Sequence, residues 1–462
     1  MRILELIGGF GIGGAERAAQ VLMQAANRSR FEFLAVGFSK GGPRMAALQE
    51  CGMRCEIAGG DSGKLQALLE EFKPDVLHLH RGGESTGYSR SVLRLTAGLG
   101  VAVVETNIFG RVDGTAEDRQ ILRRGHTSLS SMLKYARATG ASMCELYAAG
   151  HRAIYNAVPV AYWNKLNFPA GTLRRVREKW GAGQDDIVAL RVGQPDLRKW
   201  SALLEMAIPL MLRANPNLRL AFRALPDVLE KTLERRFGSR LIAMPATSND
   251  RELAQTYAAA DLMAHSSHIG ESFGSVLAEG MYWGLPVVVD STPSMDNAQV
   301  EVVDNGSTGF VVDGPFAFAD AVERLCRDAE LRRQMGEAGR RKVREQFSDS
   351  VVARQWERAF VEAALENGND VPAELVDYAR ELPAVPDADR HRQFEVEYER
   401  RLRDVFPAQR ERDALERAVM SVRIRASSVR SQLRYCIQIG PRTVAGRAWH
   451  RLHASGNVFR RT

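Results

Sequence analysis

The sequence has no unbroken apolar run near the roughly 18 residues that a membrane-spanning helix requires. Its first residues, MRILELIGGFGIGG, enter an apolar run at once and lack the basic, then apolar pattern of a secretory signal. Because both membrane signals are missing, we expect a cytoplasmic protein.

Cysteine is also scarce, since the 462 residues include five, at positions 51, 55, 144, 326 and 436. The first two have no second Cys or His pair at the spacing of a metal site. This odd and scattered set favours reduced thiols over disulfides or a metal centre.

Acidic residues are absent from positions 417–462, where ten Arg and no Lys occur. Because the whole chain has a net charge of +7, these arginines leave the remainder close to neutral. The apolar residues between them indicate a basic amphipathic segment, which suits an anionic membrane surface. A solvated tail, or one that docks on the acidic helices before it, is the alternative. No nucleic-acid reading module is recognisable, so we expect no nucleic-acid partner.

Short apolar runs alternate with amphipathic stretches over most of the chain. RILELIG precedes AERAAQVLMQAANRS, and FEFLAVGFS precedes PRMAALQECG. This alternation predicts strands and helices of a parallel, doubly wound sheet. The pattern breaks at YNAVPVAYWNKLNFPAGTLRRVREKWGAG and resumes at DIVALRVG. The sequence therefore predicts an α/β protein with two facing Rossmann-like domains and a cleft between them.

The first loop, GGFGIGGAER, contains G-x-G-x-x-G at Gly9, Gly11 and Gly14. Such a loop lets backbone amides approach phosphate or sugar oxygens at a helix N-terminus. A dinucleotide site also needs an acidic residue about 20 positions further on. The second strand, FEFLAVGFSK, offers only Lys40. An NAD-dependent oxidoreductase and a purely structural turn remain alternatives for this loop.

Two glutamates, Glu271 and Glu279, stand eight positions apart in ESFGSVLAE. Glu271 follows the strand-like DLMAHSS, and Glu279 lies about two turns into the next helix. The carboxyl ends of parallel strands face the cleft, so both carboxylates can reach one ligand. The amides of the first helical turn suit a diphosphate, and the residues there are Phe273, Gly274 and Ser275.

His78 and His80 lie on one face of the strand DVLHLH, with His80 at the cleft end. A pair of structural histidines is one interpretation, and contact of His80 with the acceptor or the donor sugar is another. A metal site is a third, although no further ligands are near in sequence.

The chain resembles the retaining glycosyltransferases of family 4, which have the GT-B fold and an E-x7-E signature. The resemblance rests on an ordered series of motifs across most of residues 1–365. These are GGAER at 13–17, YNAVP at 155–159, RVG…RK at 191–199, ESFGSVLAE at 271–279, GLPVVV after it and NGSTGFVV at 305–312.

The resemblance implies a role for several residues. Glu279 would bind the donor ribose and Glu271 the hydroxyls of the transferred sugar. His80 is a second catalytic candidate because of its place at the cleft end of its strand, and not because of the resemblance. Lys199 would neutralise the donor diphosphate. The other donor-binding candidates are Gly13, Gly14, Gln194, Arg198, Phe273, Gly274 and Ser275.

Two positions depart from the family pattern. Gln194 stands where the family has an arginine of the phosphate clamp. Either Arg191 or Arg198 would have to replace it, and we favour Arg198 because Arg191 belongs to a strand. Asn107 stands where relatives often carry a histidine, and an amide can bind a sugar hydroxyl but cannot carry charge.

The resemblance also implies the arrangement and the activity of the domains. Residues 1–165 would form the acceptor-side domain and 184–348 the nucleotide-sugar domain. Residues 349–366 would form a helix that packs back toward the first domain, followed by a helical, Arg-rich extension at 367–462. The expected activity is metal-independent transfer of a sugar from a nucleotide-sugar to a glycan or lipid-linked acceptor, without a cofactor. A nucleotide-sugar epimerase and a non-catalytic nucleotide-sugar-binding protein are the alternatives.

Overall fold

The computed structural model describes residues 1–84, 86–292, 295–382 and 388–405, and every structural statement below concerns these residues. The Arg-rich segment 417–462, with its expected membrane role, lies outside them. None of the helices in these ranges is long and apolar enough to cross a membrane.

The first domain is built on seven parallel strands. These strands are β1 (Arg2–Gly9), β2 (Glu32–Lys40), β3 (Arg54–Ile57), β4 (Val76–Arg81), β5 (Ala102–Asn107), β6 (Ile121–His126) and β7 (His151–Ala153). Their order in the sheet is β3-β2-β1-β4-β5-β6-β7, which is the order of a doubly wound sheet with one added strand. Helices cover both faces, so the strands are nearly continuous runs of buried apolar residues.

The second domain has a parallel sheet of six strands. These are β8 (Ile187–Val192), β9 (Leu218–Arg223), β10 (Leu241–Met244), β11 (Leu262–His265), β12 (Val287–Asp290) and β13 (Gly309–Val312). The order β10-β9-β8-β11-β12-β13 repeats that of the first sheet. The two Rossmann-like domains predicted from the sequence are therefore confirmed. The predicted limits at residues 165 and 184 stay predictions.

Helices follow most strands. Those up to the second sheet are α1 (Gly14–Ala25), α2 (Pro43–Glu50), α3 (Ser62–Phe72), α4 (Gly87–Thr96), α5 (Leu129–Thr139), α6 (Met143–Ala148), α7 (Val160–Trp163) and α8 (Ala170–Lys179). Those within and after it are α9 (Ala202–Ala214), α10 (Asp227–Phe237), α11 (Asp250–Ala258), α12 (Ser275–Tyr282), α13 (Gln299–Val302), α14 (Gly314–Arg327), α15 (Ala329–Lys342), α16 (Asp349–Glu366), α17 (Ala373–Glu381) and α18 (Ala388–Val405).

Helix α16 leaves the second domain and packs against the sheet of the first. The Trp356 ring lies directly on the backbone of strand β6, where a Cβ at Gly125 would be 2.2 Å from the ring. Glycine at this position therefore permits the close contact. Phe360 packs beside Trp356, and both belong to the apolar core of the first domain.

The two domains also contact each other directly. The buried Glu301 of α13 accepts hydrogen bonds from the backbone amides of Leu129 and Ser130, at 3.1 and 3.0 Å. These amides form the first turn of α5, where the helix dipole favours a negative charge. A carboxylate of the second domain thus caps a helix of the first.

Helix α18 contacts both domains beside this contact. Its Tyr398 hydroxyl accepts a hydrogen bond from Asn297 Nδ2 at 3.0 Å, and Arg401 Nη1 donates to the Val300 carbonyl at 2.8 Å. The helix also packs on α6 of the first domain. The extension after the second domain therefore supports the segment that leads into α13.

Candidate active site

A cavity of about 400 Å³ lies between the two domains. The loop after β1 and the start of α1 form its first-domain wall, and the carboxyl ends of β8 and β11 form the opposite wall. The charged residues that line it are Glu16, Arg17, Arg44, Arg191, Lys199, Arg223, Glu271 and Glu279. Five cations against three carboxylates make this a cavity suited to an anionic ligand.

Glu271 lies where the chain leaves β11, and its carboxylate is held by two side chains. Lys199 Nζ is 2.9 Å from one carboxylate oxygen, and His265 Nε2 is 3.1 Å from the other. Burial alone would raise the pKa of Glu271, but Lys199 and His265 hold it at about 2. Glu271 is therefore a fixed negative charge over the physiological pH range.

The backbone around Glu271 is fixed as well. Its amide donates to Gln299 Oε1 at 3.2 Å, and its carbonyl accepts from the Ala298 amide at 2.8 Å. Gly270, just before it, has φ of +67° and packs so closely that a Cβ would lie 1.6 Å from the Asp296 carbonyl oxygen. Only glycine allows this approach, which sets the direction of the Glu271 side chain.

Lys199 ends the short turn Leu197–Lys199 that follows β8. Besides pairing with Glu271, its ammonium group donates to the Gly270 carbonyl at 3.2 Å. The sequence placed Lys199 and Glu271 in separate motifs, and the structure brings their charged groups together on one wall of the cavity.

Helix α12 begins at the same wall. Gly274 precedes it in the left-handed conformation, with φ of +91°, and no side chain caps the first amides. Gly274 and Ser275 line the cavity, while Phe273 is fully buried and packs on Tyr155 and Phe347. Phe273 therefore anchors the turn from behind, and its ring does not face the cavity.

Gly13 and Gly14 come from the first domain to the same region. A Cβ at Gly13 would lie 3.4 Å from Gln194 Nε2, and one at Gly14 would lie 4.0 Å from Ser275 Oγ. The structure thus brings Gly13, Gly14, Gln194 and Ser275 together across the cleft, where the family resemblance implies a common donor site.

Glu279 is 3% exposed and is bonded through both oxygens. Arg17 Nε lies 2.6 Å from Oε1, and the Tyr257 hydroxyl donates to Oε2 at 2.9 Å. Arg17 also pairs with Asp250 and lies over the Trp163 ring. Arg17 belongs to the GGAER motif, but the sequence indicates no role for it because its partners are more than 200 positions away.

The structure does not place Arg198 at the cavity, where the expected phosphate clamp would need it. The Arg198 side chain is 77% exposed and pairs with Asp196, outside the cavity wall. Arg191 is the one that lines the cavity, because β8 turns its side chain inward over the Trp200 ring. Its guanidinium donates to the carbonyls of Lys199 and Ser266, and burial lowers its pKa to about 10.

His80 also differs from the sequence-based expectation of a catalytic or sugar-contacting residue. Its Nε2 lies 2.5 Å from Glu5, and His78 Nδ1 lies 3.0 Å from the second oxygen of the same carboxylate. Neither histidine lines the cavity between the domains. Burial would raise the pKa of Glu5, but the two histidines hold it at about 2. The histidines therefore stabilise a buried carboxylate, as the structural interpretation of the pair proposes.

Glu5, His78 and His80 also form a group whose ligand atoms lie within 4.8 Å of one another, as a metal site requires. In the described chain the ring nitrogens that face Glu5 are both used to bond it. These hydrogen bonds account for the cluster without an ion.

Asn107 closes the loop after β5 instead of facing a ligand. Its Nδ2 donates to the Arg111 carbonyl at 2.9 Å, and its Oδ1 accepts from the Arg111 amide at 3.3 Å. The residues of this loop that line the cavity are Ile108 and Phe109.

Three further residues at the site were missed by sequence reasoning: His265, Arg44 and Gln299. His265 ends strand β11, so the rule that strand ends face the cleft could have identified it. Arg44 and Gln299 lie in helices with no such signal, and their approach depends on the packing of distant loops.

Comparisons with known proteins agree with this geometry. Residues 174–342 match the family model described as glycosyl transferases group 1. Over 119 residues the chain is 34% identical to the N-acetyl-alpha-D-glucosaminyl L-malate synthase of Bacillus anthracis, covering 25% of this chain and 30% of that protein. Over 215 residues it is 30% identical to the D-inositol 3-phosphate glycosyltransferase of Thermomonospora curvata, covering 43% and 48%. The chain thus spans less than half the length of these curated relatives.

The structural similarity covers more of the chain than the sequence similarity does. The crystal structure of Anabaena Alr3699/HepE in complex with UDP and glucose superposes with a TM-score of 0.63 at 17% identity. The alignment covers 78% of this chain and 100% of that chain. The architecture is therefore the GT-B fold, and the second domain matches the group 1 glycosyl transferases.

Proposed function

We propose that this protein is a retaining glycosyltransferase of family 4, which transfers a sugar from a nucleotide-sugar to a glycan or lipid-linked acceptor. The observation that carries the proposal is the Lys199–Glu271 pair, 2.9 Å apart, beside the uncapped start of α12 in the cleft. A cation and helix amides suit the donor diphosphate, and the adjacent carboxylate suits the sugar.

The proposed chemistry places one charge at each group. As the bond between the anomeric carbon and the diphosphate oxygen breaks, positive charge develops on the sugar ring and negative charge on the leaving oxygen. Glu271, ionised because of its low pKa, stabilises the first, and Lys199 with the amides around Ser275 stabilises the second. The acceptor hydroxyl oxygen forms the new bond on the same face. Its proton passes to the leaving diphosphate, so no protein base is required.

Glu279 would serve the nucleotide. Glu279 belongs to α12 and lines the cavity, where the ribose hydroxyls of a bound donor could donate to its carboxylate. Arg17 and Tyr257 hold the carboxylate in place. The names of the two relatives mention L-malate and inositol 3-phosphate. The proposal names the acceptor of this chain only by its class, a glycan or a lipid-linked acceptor.

We further propose that residues 417–462 hold the enzyme on an anionic membrane, where a lipid-linked acceptor would be available. The support is the sequence alone, with ten arginines and no acidic residue. Basic residues near such a surface contribute on the order of 1 kcal/mol each.

A second candidate, a protein that binds nucleotide-sugars without transfer, is favoured by one observation. Gln194 replaces a charged residue at the cavity wall and provides only a neutral amide there. A lower affinity for the leaving diphosphate would follow if no other cation compensates.

One assay separates these candidates. The wild-type protein is incubated with UDP-, GDP-, ADP- and CMP-sugars in EDTA, with and without glycan and lipid-linked acceptors, and the products are analysed by NMR. The proposal expects acceptor-dependent release of the nucleotide with the anomeric configuration retained. Donor turnover without acceptor into an epimer would indicate an epimerase, and binding without turnover would indicate the second candidate. Activity restored only by Mg²⁺ or Mn²⁺ would contradict the metal-independent mechanism.

A further inference from the structure

Arg44 is a buried cation of the first domain, and none of the carboxylates in the described part of the chain forms an ion pair with it. The residue is 6% exposed and lines the cavity between the domains. Its Nη1 donates to Gln20 Oε1 at 2.7 Å and its Nη2 to the Ile12 carbonyl at 3.4 Å, and both acceptors are neutral. Its buried Nε has no hydrogen-bond partner among the described residues. A guanidinium has five N–H groups, so most of its donor capacity is unused.

Two of the three acids that act on Arg44 are already paired with another cation, and the third is Glu16 of the cavity wall. Asp250 and Glu279 are the acids that raise the pKa of Arg44 most, and both form ion pairs with Arg17. Burial, together with repulsion by Arg17, lowers the pKa of Arg44 to about 10. Keeping a second guanidinium charged at this wall costs stability in the empty protein. Such a cost is typical of a group that a ligand completes.

The chain holds Arg44 in this position by a close backbone contact. A Cβ at Gly42 would lie 2.1 Å from the Phe10 carbonyl oxygen, so the loop before α2 packs tightly against the end of β1. The Arg44 amide donates to the same carbonyl at 3.3 Å. The cation is therefore built into the cleft, since its backbone is fixed on the loop that carries the glycines of the first domain.

The opposite wall carries Arg191 and Lys199, but Gln194 stands there at the position where the family resemblance implies a further arginine. Gln194 faces Gly13 across the cleft, and Arg198, which could have replaced the missing charge, points to solvent beside Asp196. We propose that Arg44 binds the diphosphate of the donor from the first-domain side and supplies the positive charge that Gln194 does not. This inference rests on the proposed donor class. It also makes phosphate binding depend on residues of both domains.

The experiment compares ligands that differ only in phosphate. Binding of a nucleoside, its monophosphate and its diphosphate is measured by calorimetry for the wild type and for Arg44→Met, with the nucleobase that gives the largest thermal shift. Inorganic pyrophosphate serves as a probe that is independent of the base. Arg198→Met is the matched control, because this exposed arginine lies outside the cavity. Arg44→Lys keeps the charge and tests whether charge is the property that matters.

The proposal expects Arg44→Met to weaken diphosphate and pyrophosphate binding about tenfold, with little change for the nucleoside. Arg44→Lys should recover part of this loss, and Arg198→Met should bind like the wild type. The melting temperature of the ligand-free Arg44→Met protein should be unchanged or higher, because an uncompensated charge is removed.

Two results would overturn the inference: an equal loss for nucleoside and diphosphate, or unchanged diphosphate and pyrophosphate affinity in Arg44→Met. Failure of the proposed function is a separate outcome. Acceptor transfer could be absent while the phosphate-specific loss is present, and transfer could occur with no dependence of binding on Arg44.

Discussion

Arg17 Nε of the first domain lies 2.6 Å from Glu279 Oε1 of the second, so a buried ion pair joins the two walls of the cleft. Arg17 also pairs with Asp250, and the Tyr257 hydroxyl donates to the second carboxylate oxygen of Glu279. The relative position of the domains and the position of the expected ribose-binding carboxylate are therefore set by the same interaction.

The first prediction concerns the stability that Arg17 provides. Arg17→Met leaves two acids without their cation, one of them buried, so the free energy of unfolding should fall by about 3–5 kcal/mol. Arg198→Met removes an exposed pair, which water screens, and should change the free energy of unfolding far less. Urea unfolding of both variants measures the difference. Equal losses would show that the Arg17 pairs contribute no more than a surface contact.

The second prediction separates the two glutamates. Glu271→Gln should abolish transfer and leave nucleoside diphosphate binding within a few fold, because Glu271 is assigned to the sugar. Glu279→Gln should weaken nucleotide binding by about 1–3 kcal/mol, since a charged acceptor for the ribose hydroxyls is lost. Calorimetric titration together with a transfer assay measures both effects. The assigned roles are wrong if the two variants lose the same nucleotide affinity.

Part of this site could be predicted from the sequence. Alternating apolar and amphipathic segments predict parallel sheets, and the rule for strand ends places Glu271 at the cleft. The hydrogen-bond partner of His80 could not be predicted, because it depends on the order of the strands in the sheet. Strand β1 lies beside β4 with Glu5 in register with His78. The Glu5 carboxylate, 75 positions before His80, therefore forms hydrogen bonds with both histidines.

The same limit applies to the cations. Arg198 and Lys199 are adjacent in sequence, but the turn that directs Lys199 to Glu271 directs Arg198 to Asp196. Arg17 is a helix residue whose partners, Asp250 and Glu279, belong to the other domain. Contacts between domains carry no local sequence signal, so they emerge only from the packed structure.

The third prediction is a dependence of stability on pH from Asp290. Burial raises the pKa of Asp290 from 3.8 to about 7. Between these values the folded protein binds the proton and the unfolded chain does not, so stability falls as pH rises. Asp290→Asn should remove this fall and be more stable than the wild type at pH 8, on the order of 3 kcal/mol. Urea unfolding of both proteins at pH 5 and 8 provides the test. A difference that does not grow with pH would contradict it.

The fourth prediction concerns the Arg-rich segment. The full chain should sediment with phosphatidylglycerol vesicles at about 0.1 M salt, where the Debye length is about 10 Å, and should not sediment with neutral vesicles. A truncation after Glu416 should lose this binding and also lose activity on a lipid-linked acceptor. A full chain that ignores anionic vesicles would rule out the membrane role. A truncated chain with unchanged transfer would show that the segment has no part in access to the acceptor.

The most direct test of the account is a titration of nucleoside diphosphates and their parent nucleosides into the wild type and Lys199→Met. The account predicts that the wild type binds one diphosphate well. It also predicts that Lys199→Met weakens this binding by about 1.5–3 kcal/mol, the contribution of a hydrogen bond to a charged group, with the nucleoside unaffected. If no nucleotide binds the wild type, or if Lys199→Met binds the diphosphate as tightly, then the cavity that Lys199 and Glu271 line is not a nucleotide-sugar site.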